Sequence, residues 1–311
     1  MCKLAIIQIA PVVLDRERTL ALAVNLVDRA VAEGAELVVF PEAFIAGYPA
    51  WVWRLRPGTD WGLSEACHSR ALDSAVDLQR GDLQPLAKAA ERHGITILCG
   101  MHEKDAERSR VTLYNTYVVI GADGRILNRH RKLMPTNPER MIWGFGDASG
   151  LKVIDTPCGR IGSLICWENY MPLARYALYA QGIEIYVAPT YDSGDAWIGT
   201  LRHIALEGGC WVVGSGNALR GGDMPDDLPG KDMLYADAQE WVNPGDSIVI
   251  APGGEIVAGP MHQEQGILFA DLDTKRIANA RRCLDVAGHY ARPDIFRLHV
   301  DTRPQSPIEF L

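Results

Sequence analysis

The sequence has seven cysteines, but they form no Cys-x-x-Cys pair and have no regular spacing. A disulfide framework, or a zinc site built from closely spaced thiols, is therefore not expected. Because the count is odd and the chain is acidic with no recognisable leader, we expect reduced thiols, most of them small buried residues. The eight histidines form no His-x-x-x-His or His-Glu-x-x-His pattern, so a metal site is not expected either.

The chain also lacks long apolar runs and an excess of basic residues. No stretch of about 18 apolar residues occurs, so no transmembrane helix is expected. The apolar start MCKLAIIQIAPVV is interrupted by Gln8 and Pro11 and has no signal-peptidase site. Against 39 Asp and Glu there are 31 Lys and Arg, a net charge of −8, which argues against nucleic acid and anionic membranes as partners. We expect a cytoplasmic protein.

What the chain does have is the composition of a globular protein with a large core. Hydrophobic residues make up 48% of the 311 positions and charged residues 23%. No linker divides the sequence, which predicts a single domain over residues 1–311. The residues after about 290 have no strong periodicity and are predicted to form a C-terminal tail.

Strands and helices alternate in the first third of the chain. Apolar runs at 3–10, 35–40 and 95–101 have the length of buried strands. Between them, residues 17–33 and about 80–93 have helical periodicity and end at glycines. This β-α-β-α-β order predicts parallel strands covered by helices.

The same order recurs later in the chain. Strands are predicted at 159–167, 183–189 and 210–217, with helices at about 170–181 and 197–208. Two such blocks fit an α/β fold in which two sheets pack together with helices outside.

Two hairpins accompany these blocks. LYNTYVVIGADGRILNRHRK has an Asp-Gly turn between two strands, and residues 246–259 have a Gly-Gly turn. We interpret them as corresponding hairpins in two halves of a mixed sheet system. Residues 220–246 are rich in Gly, Pro and Asp and predict a long surface loop, a type of segment that often serves as a lid or binding element.

Three reactive side chains each follow an apolar strand. Glu42 comes after strand 35–40, Lys132 after the first hairpin, and Cys166 after strand 161–165. Ligands of open α/β sheets bind at the carboxyl ends of strands, so a carboxylate, an ammonium and a thiol meeting there would form a covalent catalytic set. Taken singly, each residue is as well explained as a cap, a solvated charge or a packed core residue.

Together the three groups have complementary chemistry. A thiol titrates near ~8.5 and needs a base or a nearby cation to react as thiolate. Glu42 could take the thiol proton and later activate water, while Lys132 could stabilise negative charge on a substrate nitrogen or oxygen. The set suits addition to a carbon–nitrogen multiple bond or to an acyl carbon. A papain-like pair of Cys166 with His130 or His203 is the weaker alternative.

The motifs around these residues resemble a known family. FPEAFIAGYP, HRKLMPTNPER and CWENYMPLARYALYAQG are together closely similar to the nitrilase branch of the carbon–nitrogen hydrolase superfamily. The resemblance runs from IIQIAP near the start to GHYARPDIF at 288–296. It implies a four-layer α-β-β-α sandwich of two mixed sheets with helices outside.

The resemblance also implies a role for each residue of the site. Glu42 would be the general base, Lys132 the stabiliser of the oxyanion or thioimidate, and Cys166 the nucleophile. The family has a second glutamate seven residues after the lysine, which matches Glu139. Its implied role is to orient Lys132 or to assist acid–base transfer. One departure, Ala148 in GDASGL where the family usually has glycine, affects a loop and none of these residues.

The branch and the substrate follow from neighbouring residues. Trp167-Glu168-Asn169 and the GYPAW stretch resemble nitrilases, with amidases or carbamoylases of the same superfamily as the alternative. The implied reaction converts a nitrile to a carboxylic acid and ammonia, with some amide, through a thioimidate and an acyl-enzyme. It needs no metal or organic cofactor.

Residues that flank the strand ends are candidates for contacting the substrate: Tyr48, Trp167, Pro189 and Thr190. A second group either lines the pocket or forms a packed aromatic patch: Trp51, Trp53 and Trp61. These aromatic residues favour aromatic or arylacetonitrile substrates. The resemblance further implies a homodimer or a short homo-oligomer that pairs through the helix beginning near Tyr170.

Overall fold

The computed structural model describes residues 1–306 and residue 308. Its first sheet has six strands in the order β13-β1-β2-β3-β4-β5. The strands are β1 (Cys2–Gln8), β2 (Leu37–Val39), β3 (Thr96–Lys104), β4 (Leu113–Ile120), β5 (Ile126–Arg131) and β13 (Gly266–Leu272). Strands β1, β2 and β3 are parallel, and β4, β5 and β13 join the sheet antiparallel.

The second sheet repeats this mixed arrangement. Its main path runs β10-β11-β9-β8-β7-β6, and β12 pairs with β11. The strands are β6 (Ile154–Thr156), β7 (Gly159–Ser163), β8 (Ile185–Thr190), β9 (Trp211–Gly216), β10 (Ala218–Arg220), β11 (Trp241–Ile250) and β12 (Ile256–His262). Strands β7, β8 and β9 are parallel. Both predicted β-α-β-α-β blocks and both predicted hairpins are therefore present.

The helices begin and end at residues suited to those places. They are α1 (Arg16–Ala32), α2 (Trp61–Ser74), α3 (Gln84–His93), α4 (Pro172–Tyr179), α5 (Asp195–Gly208), α6 (Lys231–Leu234) and α7 (Lys275–Arg281). The Asp15 side chain caps α1 by accepting from the N–H of Arg18, and α3 ends at Gly94, whose φ of 65° is left-handed. No helix among the described residues is long and apolar enough to cross a membrane.

Alternation along the strands builds four layers. In β1, Ala5 and Ile7 face a core shared with α1 and α3, whereas Leu4 and Ile6 face the second sheet. In the second sheet the residues that face away from this interior pack under α4 and α5. Because successive strand residues point to opposite faces, the central strands of each sheet are buried on both sides. The α-β-β-α sandwich is confirmed.

The expectation that all cysteines are reduced is wrong for two of them. Cys2 and Cys158 form a disulfide with their Cα atoms 5.2 Å apart. Cys2 begins β1 and Cys158 lies in the turn between β6 and β7, so the bond joins the two sheets. The partners are 156 residues apart, which is why spacing along the chain does not reveal the pair.

The prediction of a long surface loop at 220–246 is right only in part. Between β10 and β11 the chain forms only a short 3-10 helix, Gly221–Asp223, and the one-turn helix α6, and residues 236–240 are exposed. The segment nevertheless buries apolar side chains against the loops that follow β1 and β2. The buried residues are Met224, Leu228, Leu234 and Tyr235. They are spaced irregularly among Gly, Pro and Asp, so no periodic pattern in the sequence indicates that they are buried. The segment covers one end of the sandwich, next to the site described below.

Candidate active site

Four reactive side chains converge at the carboxyl ends of the parallel strands. Glu42 follows β2, Lys132 directly follows β5, and Cys166 follows β7. Glu139 lies in a short 3-10 helix, Asn137–Met141. All four are buried, with relative exposures between 0% and 4%. We call these four residues the floor, because they lie at the bottom of the cavity described below.

Glycine at position 100 allows the Glu42 loop to pack directly on β3. A Cβ at Gly100 would lie 2.5 Å from the carbonyl oxygen of Pro41 and from the backbone nitrogen of Ala43. The N–H of Ile45 donates to the carbonyl of Gly100 at 2.9 Å. Any larger residue there would push the Glu42 backbone out of the site.

The backbone at Cys166 is in the left-handed region, with φ of 52°. This conformation is costly for a residue with a Cβ and is often found where a nucleophile is displayed on a sharp turn. Here Cys166 begins a 3-10 helix, Cys166–Tyr170, and the Asn169 side chain braces the turn. Its Nδ2 donates to the carbonyls of Leu164 at 2.9 Å and Cys166 at 2.7 Å.

Lys132 joins the two glutamates. Its Nζ donates to Oε1 of Glu42 at 3.0 Å and to Oε2 of Glu139 at 2.7 Å. Burial alone would lower the pKa of Lys132, but the charges of Glu42 and Glu139 more than offset this, so its pKa lies above the ordinary value. Lys132 is therefore a fixed cation.

Glu42 is held by neutral donors as well. Asn115 Nδ2 on β4 donates to Oε1 at 2.7 Å, and the backbone N–H of Tyr191 donates to Oε2 at 2.7 Å. Burial raises the pKa of Glu42 to about 7, against the lowering effect of Lys132 and Asn115, while Glu139 adds to the increase. A carboxylate with this pKa can both accept and return a proton near neutrality.

Glu139 is equally enclosed. Tyr48 donates its hydroxyl to Oε1 at 2.6 Å, and the N–H of Thr136 donates to Oε2 at 2.7 Å. Burial and the charge of Glu139 hold the pKa of Tyr48 well above its usual range, so the phenol stays a donor. Trp53 Nε1 in turn donates to the Tyr48 oxygen at 2.9 Å.

The Cys166 thiol lies beside both carboxylates. Its sulfur and one oxygen each of Glu42 and Glu139 lie within 4.8 Å of one another. Such a trio can hold a metal ion, but the Lys132 ammonium already bonds to both carboxylates and supplies the cation. Burial and the charge of Glu42 raise the pKa of Cys166, while Lys132 and the Thr190 side chain lower it. The resting thiol is thus protonated and has a base within reach.

A cavity of about 260 Å³ opens above the floor. Its lining residues are Tyr48, Trp53, Thr136, Glu139, Cys166, Trp167, Tyr191 and Asp192. We call the part formed by Trp53, Trp167, Tyr191 and Asp192 the rim. Tyr48 and Tyr191 stack with ring centroids 3.7 Å apart, and Trp167 Nε1 donates to Asp192 Oδ2 at 2.8 Å.

A family model described as carbon–nitrogen hydrolase matches residues 3–282. The chain belongs to the carbon–nitrogen hydrolase family. Its curated relatives include an aliphatic nitrilase of Sinorhizobium fredii (strain HH103), 43% identical over 98% of this chain and 97% of that one. Another is the bifunctional nitrilase/nitrile hydratase NIT4A of Lupinus angustifolius, 40% identical over 98% of this chain and 87% of that one. These relatives place the chain in the nitrilase branch.

Two solved structures have the same fold, the first of them described as a carbon–nitrogen hydrolase. One from Helicobacter pylori G27 has a TM-score of 0.70 at 22% identity, covering 91% of this chain and 93% of that one. The Caenorhabditis elegans NitFhit protein has a TM-score of 0.73 at 22% identity, covering 98% of this chain and 68% of that one. At this identity the likeness concerns the fold alone.

Only two of the four candidate substrate contacts line the cavity. Tyr48 and Trp167 line the cavity of this carbon–nitrogen hydrolase, whereas Pro189 and Thr190 lie at the end of β8 and are not among its lining residues.

Of the three clustered tryptophans, Trp53 lines the cavity and Trp51 is buried in the neighbouring apolar cluster. Trp61, 66% exposed, begins α2 away from the cavity.

The papain-like alternative is wrong. His130 bonds to Glu168, and His203 is an exposed residue on α5 that pairs with Glu207. Asn115, Tyr191 and Asp192 were not anticipated. The last two directly follow β8, so the strand-end signal that indicated Cys166 would have identified them as well.

Proposed function

We propose that this carbon–nitrogen hydrolase is a nitrilase, which converts an organic nitrile and two waters to a carboxylic acid and ammonia. The observation that carries the proposal is the floor itself. A buried thiol lies beside two carboxylates that share one ammonium. Relatives named nitrilase over nearly the whole chain support the same activity.

The first half of the reaction forms a thioimidate. Cys166 Sγ attacks the nitrile carbon, its proton passes to Glu42, and a carbon–sulfur bond forms as one π pair moves to nitrogen. Since the pKa of the thiol is raised, the proton leaves during the attack rather than before it. The nitrogen then takes this proton from Glu42, which leaves Glu42 free to act as a base again, and the fixed charge of Lys132 stabilises the developing anion.

The second half releases the products. Glu42 takes a proton from water, which adds to the thioimidate carbon to give a tetrahedral intermediate. Protonated nitrogen leaves as ammonia when the carbon–nitrogen bond breaks, and a thioester remains. A second water, activated in the same way, breaks the carbon–sulfur bond and releases the acid. Loss of the thiolate from the tetrahedral intermediate gives the amide instead.

The cavity favours small nitriles that carry one aromatic ring. Its volume of about 260 Å³ lies below the range of pockets for drug-sized ligands. Tyr48, Trp53, Trp167 and Tyr191 offer ring faces and edges to such a substrate. Benzonitrile and phenylacetonitrile are the proposed test substrates.

The test is ammonia release across a panel of aromatic, arylaliphatic and small aliphatic nitriles with their matching amides, with acid and amide products separated by chromatography. We expect nitriles to be hydrolysed faster than the amides, and the two aromatic nitriles to be among the best. Faster turnover of amides would make the protein an amidase or carbamoylase. A preference for aliphatic nitriles would contradict the proposed substrate class alone.

We further propose that the chain forms a single domain, with a tail after about residue 290, that assembles into a homodimer or short homo-oligomer in the cytoplasm. The shared core between the sheets supports the single domain. Exposed apolar side chains on α4 and in the tail, Leu173, Ile295 and Phe296, support the self-association. Light scattering after size exclusion tests the assembly, and cell fractionation tests the compartment.

A further inference from the structure

Glu168 is a buried carboxylate, 1% exposed, that does not line the cavity. Its oxygens accept the backbone N–H of Ile165 at 2.5 Å and that of Leu133 at 2.6 Å. Ile165 directly precedes Cys166, and Leu133 directly follows Lys132. One side chain therefore ties together the two loops that carry the thiol and the ammonium.

A histidine provides a third hydrogen bond to this carboxylate. Nε2 of His130, on β5, lies 3.0 and 3.1 Å from the two oxygens of Glu168. Nδ1 of His130 is buried and has no hydrogen-bond partner among the described residues. A hydrogen on Nδ1 would be an unpaired buried donor, so we assign the hydrogen to Nε2, which donates to Glu168.

Only a carboxylate satisfies this arrangement. Three N–H groups from three points of the chain converge on two oxygens, which accept from all of them. An amide in the same place would offer one oxygen and turn an N–H₂ group toward a second donor. At least one buried N–H would lose its partner, and the two loops would no longer be held at one separation.

We propose that Glu168 is a positioning residue that sets the separation of Lys132 from Cys166 and thereby selects ammonia, rather than thiolate, as the group that leaves. This inference rests on the proposed nitrilase activity. With Lys132 in place, the nitrogen of the tetrahedral intermediate stays in the Glu42–Lys132–Glu139 network and leaves protonated, breaking the carbon–nitrogen bond. With Lys132 displaced, the nitrogen stays neutral, the carbon–sulfur bond breaks, and amide is released.

The test compares Glu168→Gln with Glu103→Gln as a matched control. Glu103 is also buried and pairs with Arg129 and Arg131 on β5, but it contacts neither loop backbone. For Glu168→Gln we expect kcat to fall by about 10-fold or more because the reacting groups are misplaced. We expect KM to change by less than about twofold, and the amide share of the product to rise severalfold. The control keeps the amide share of the parent.

The amide share is independent of how much protein is folded, so it separates positioning from general stability. An amide share in Glu168→Gln equal to that of the parent and of Glu103→Gln overturns the proposal. If Glu168→Gln does not fold, the histidine provides the second test. His130→Gln keeps an N–H near the position of Nε2 and should match the parent, whereas His130→Ala should raise the amide share.

No change in the amide share of His130→Ala also overturns the proposal. Failure of the proposed function looks different, because the parent would then release no ammonia from nitriles. If it hydrolyses amides instead, the loss of kcat at constant KM in Glu168→Gln still tests the positioning role.

Discussion

The floor and the rim of the cavity are built on opposite principles. Each floor residue is almost wholly buried, and each carboxylate oxygen of Glu42 and Glu139 accepts at least one hydrogen bond. In the rim, Trp53 and Trp167 are 46% and 50% exposed, and each indole N–H makes a single hydrogen bond. Several contacts thus fix each floor residue, whereas each of the two rim tryptophans is held by one side-chain hydrogen bond.

This difference assigns the two regions different tasks. Buried charges are tolerated only when they are fully paired, so the floor holds one geometry for the chemistry, with Lys132 a fixed cation and Glu42 able to exchange a proton near neutrality. The two half-exposed rim tryptophans have no buried charge to pair, so they can determine which substrate enters. Changes in the floor should therefore lower kcat strongly, and changes in the rim should act mainly on KM and substrate preference.

The largest effect is expected at the nucleophile. Cys166→Ala should lower kcat by at least about 10⁴-fold, because no other group near the floor can form the covalent intermediate. Ammonia release at saturating nitrile measures it. Cys283→Ser, at the exposed free cysteine, is the control and should match the parent. Substantial activity in Cys166→Ala would refute the covalent mechanism.

Removal of the floor's cation should come next. Lys132→Met should lower kcat by about 10³-fold through loss of the charge that stabilises the substrate nitrogen. It also leaves Glu42 and Glu139 without their shared partner, which should lower the free energy of unfolding by about 3 kcal/mol. Kinetics and urea denaturation measure the two effects. A variant that loses stability but keeps kcat would make Lys132 purely structural.

The pH dependence should report the floor's base. Burial raises the pKa of Glu42 to about 7, and below that pH the carboxyl is protonated and cannot accept the thiol proton. The value of kcat/KM should therefore increase with pH through a midpoint near 7, the pKa of the free enzyme. The initial rate at low substrate between pH 5 and 9 gives the profile.

Glu139→Gln provides the matching variant for this profile. The negative charge of Glu139 contributes to the raised pKa of Glu42, so its removal should shift the rising limb to lower pH, by about one unit or less. A limb that stays in place would mean that another group titrates. Glutamine keeps one oxygen for the N–H of Thr136 and for Lys132 Nζ, whereas the Tyr48 hydroxyl, which donates to the other oxygen, then faces an N–H₂ group.

Three of the four floor residues could be predicted from the sequence because they follow strands whose apolar runs are easy to recognise, whereas Glu139 was indicated by the family resemblance alone. Glu42, Lys132 and Cys166 each come within three residues of a strand end, and parallel strands bring such ends together. The supporting contacts could not be predicted. The bond from the Tyr191 N–H to Glu42 spans 149 residues, so it depends on the register of two sheets rather than on local pattern.

The parts of the fold that were missed have a similar cause. The Cys2–Cys158 disulfide and the burial of four apolar side chains within residues 220–246 arise where distant segments meet, and neither leaves a periodic trace in the sequence. Helix α2 has few apolar positions, with only Cys67, Ala71 and Ser74 buried. The small residues on its buried face form too weak an apolar pattern to predict a helix. The sequence therefore does not indicate that Trp61 begins a helix rather than lying with Trp51 and Trp53.

The smallest effects should come from the rim, and they should separate its two tryptophans. Trp167→Phe removes a hydrogen bond to Asp192 that does not reach the floor, so we expect a change in KM of a few-fold with kcat retained. Trp53→Phe removes the donor to Tyr48, which itself donates to Glu139. Loss of this hydrogen bond should lower kcat by about twofold to tenfold, the range that corresponds to one neutral hydrogen bond.

Both variants keep an aromatic ring at the cavity, so a difference between them isolates the indole N–H. The measurement is kcat and KM for benzonitrile and phenylacetonitrile in each variant. If Trp53→Phe alters KM alone, as expected for Trp167→Phe, then both rim tryptophans affect only substrate binding, and the hydrogen-bond network that supports catalysis ends at Tyr48. If it lowers kcat, the floor's hydrogen bonds extend through Tyr48 into a half-exposed residue, and burial alone does not divide chemistry from recognition in this site.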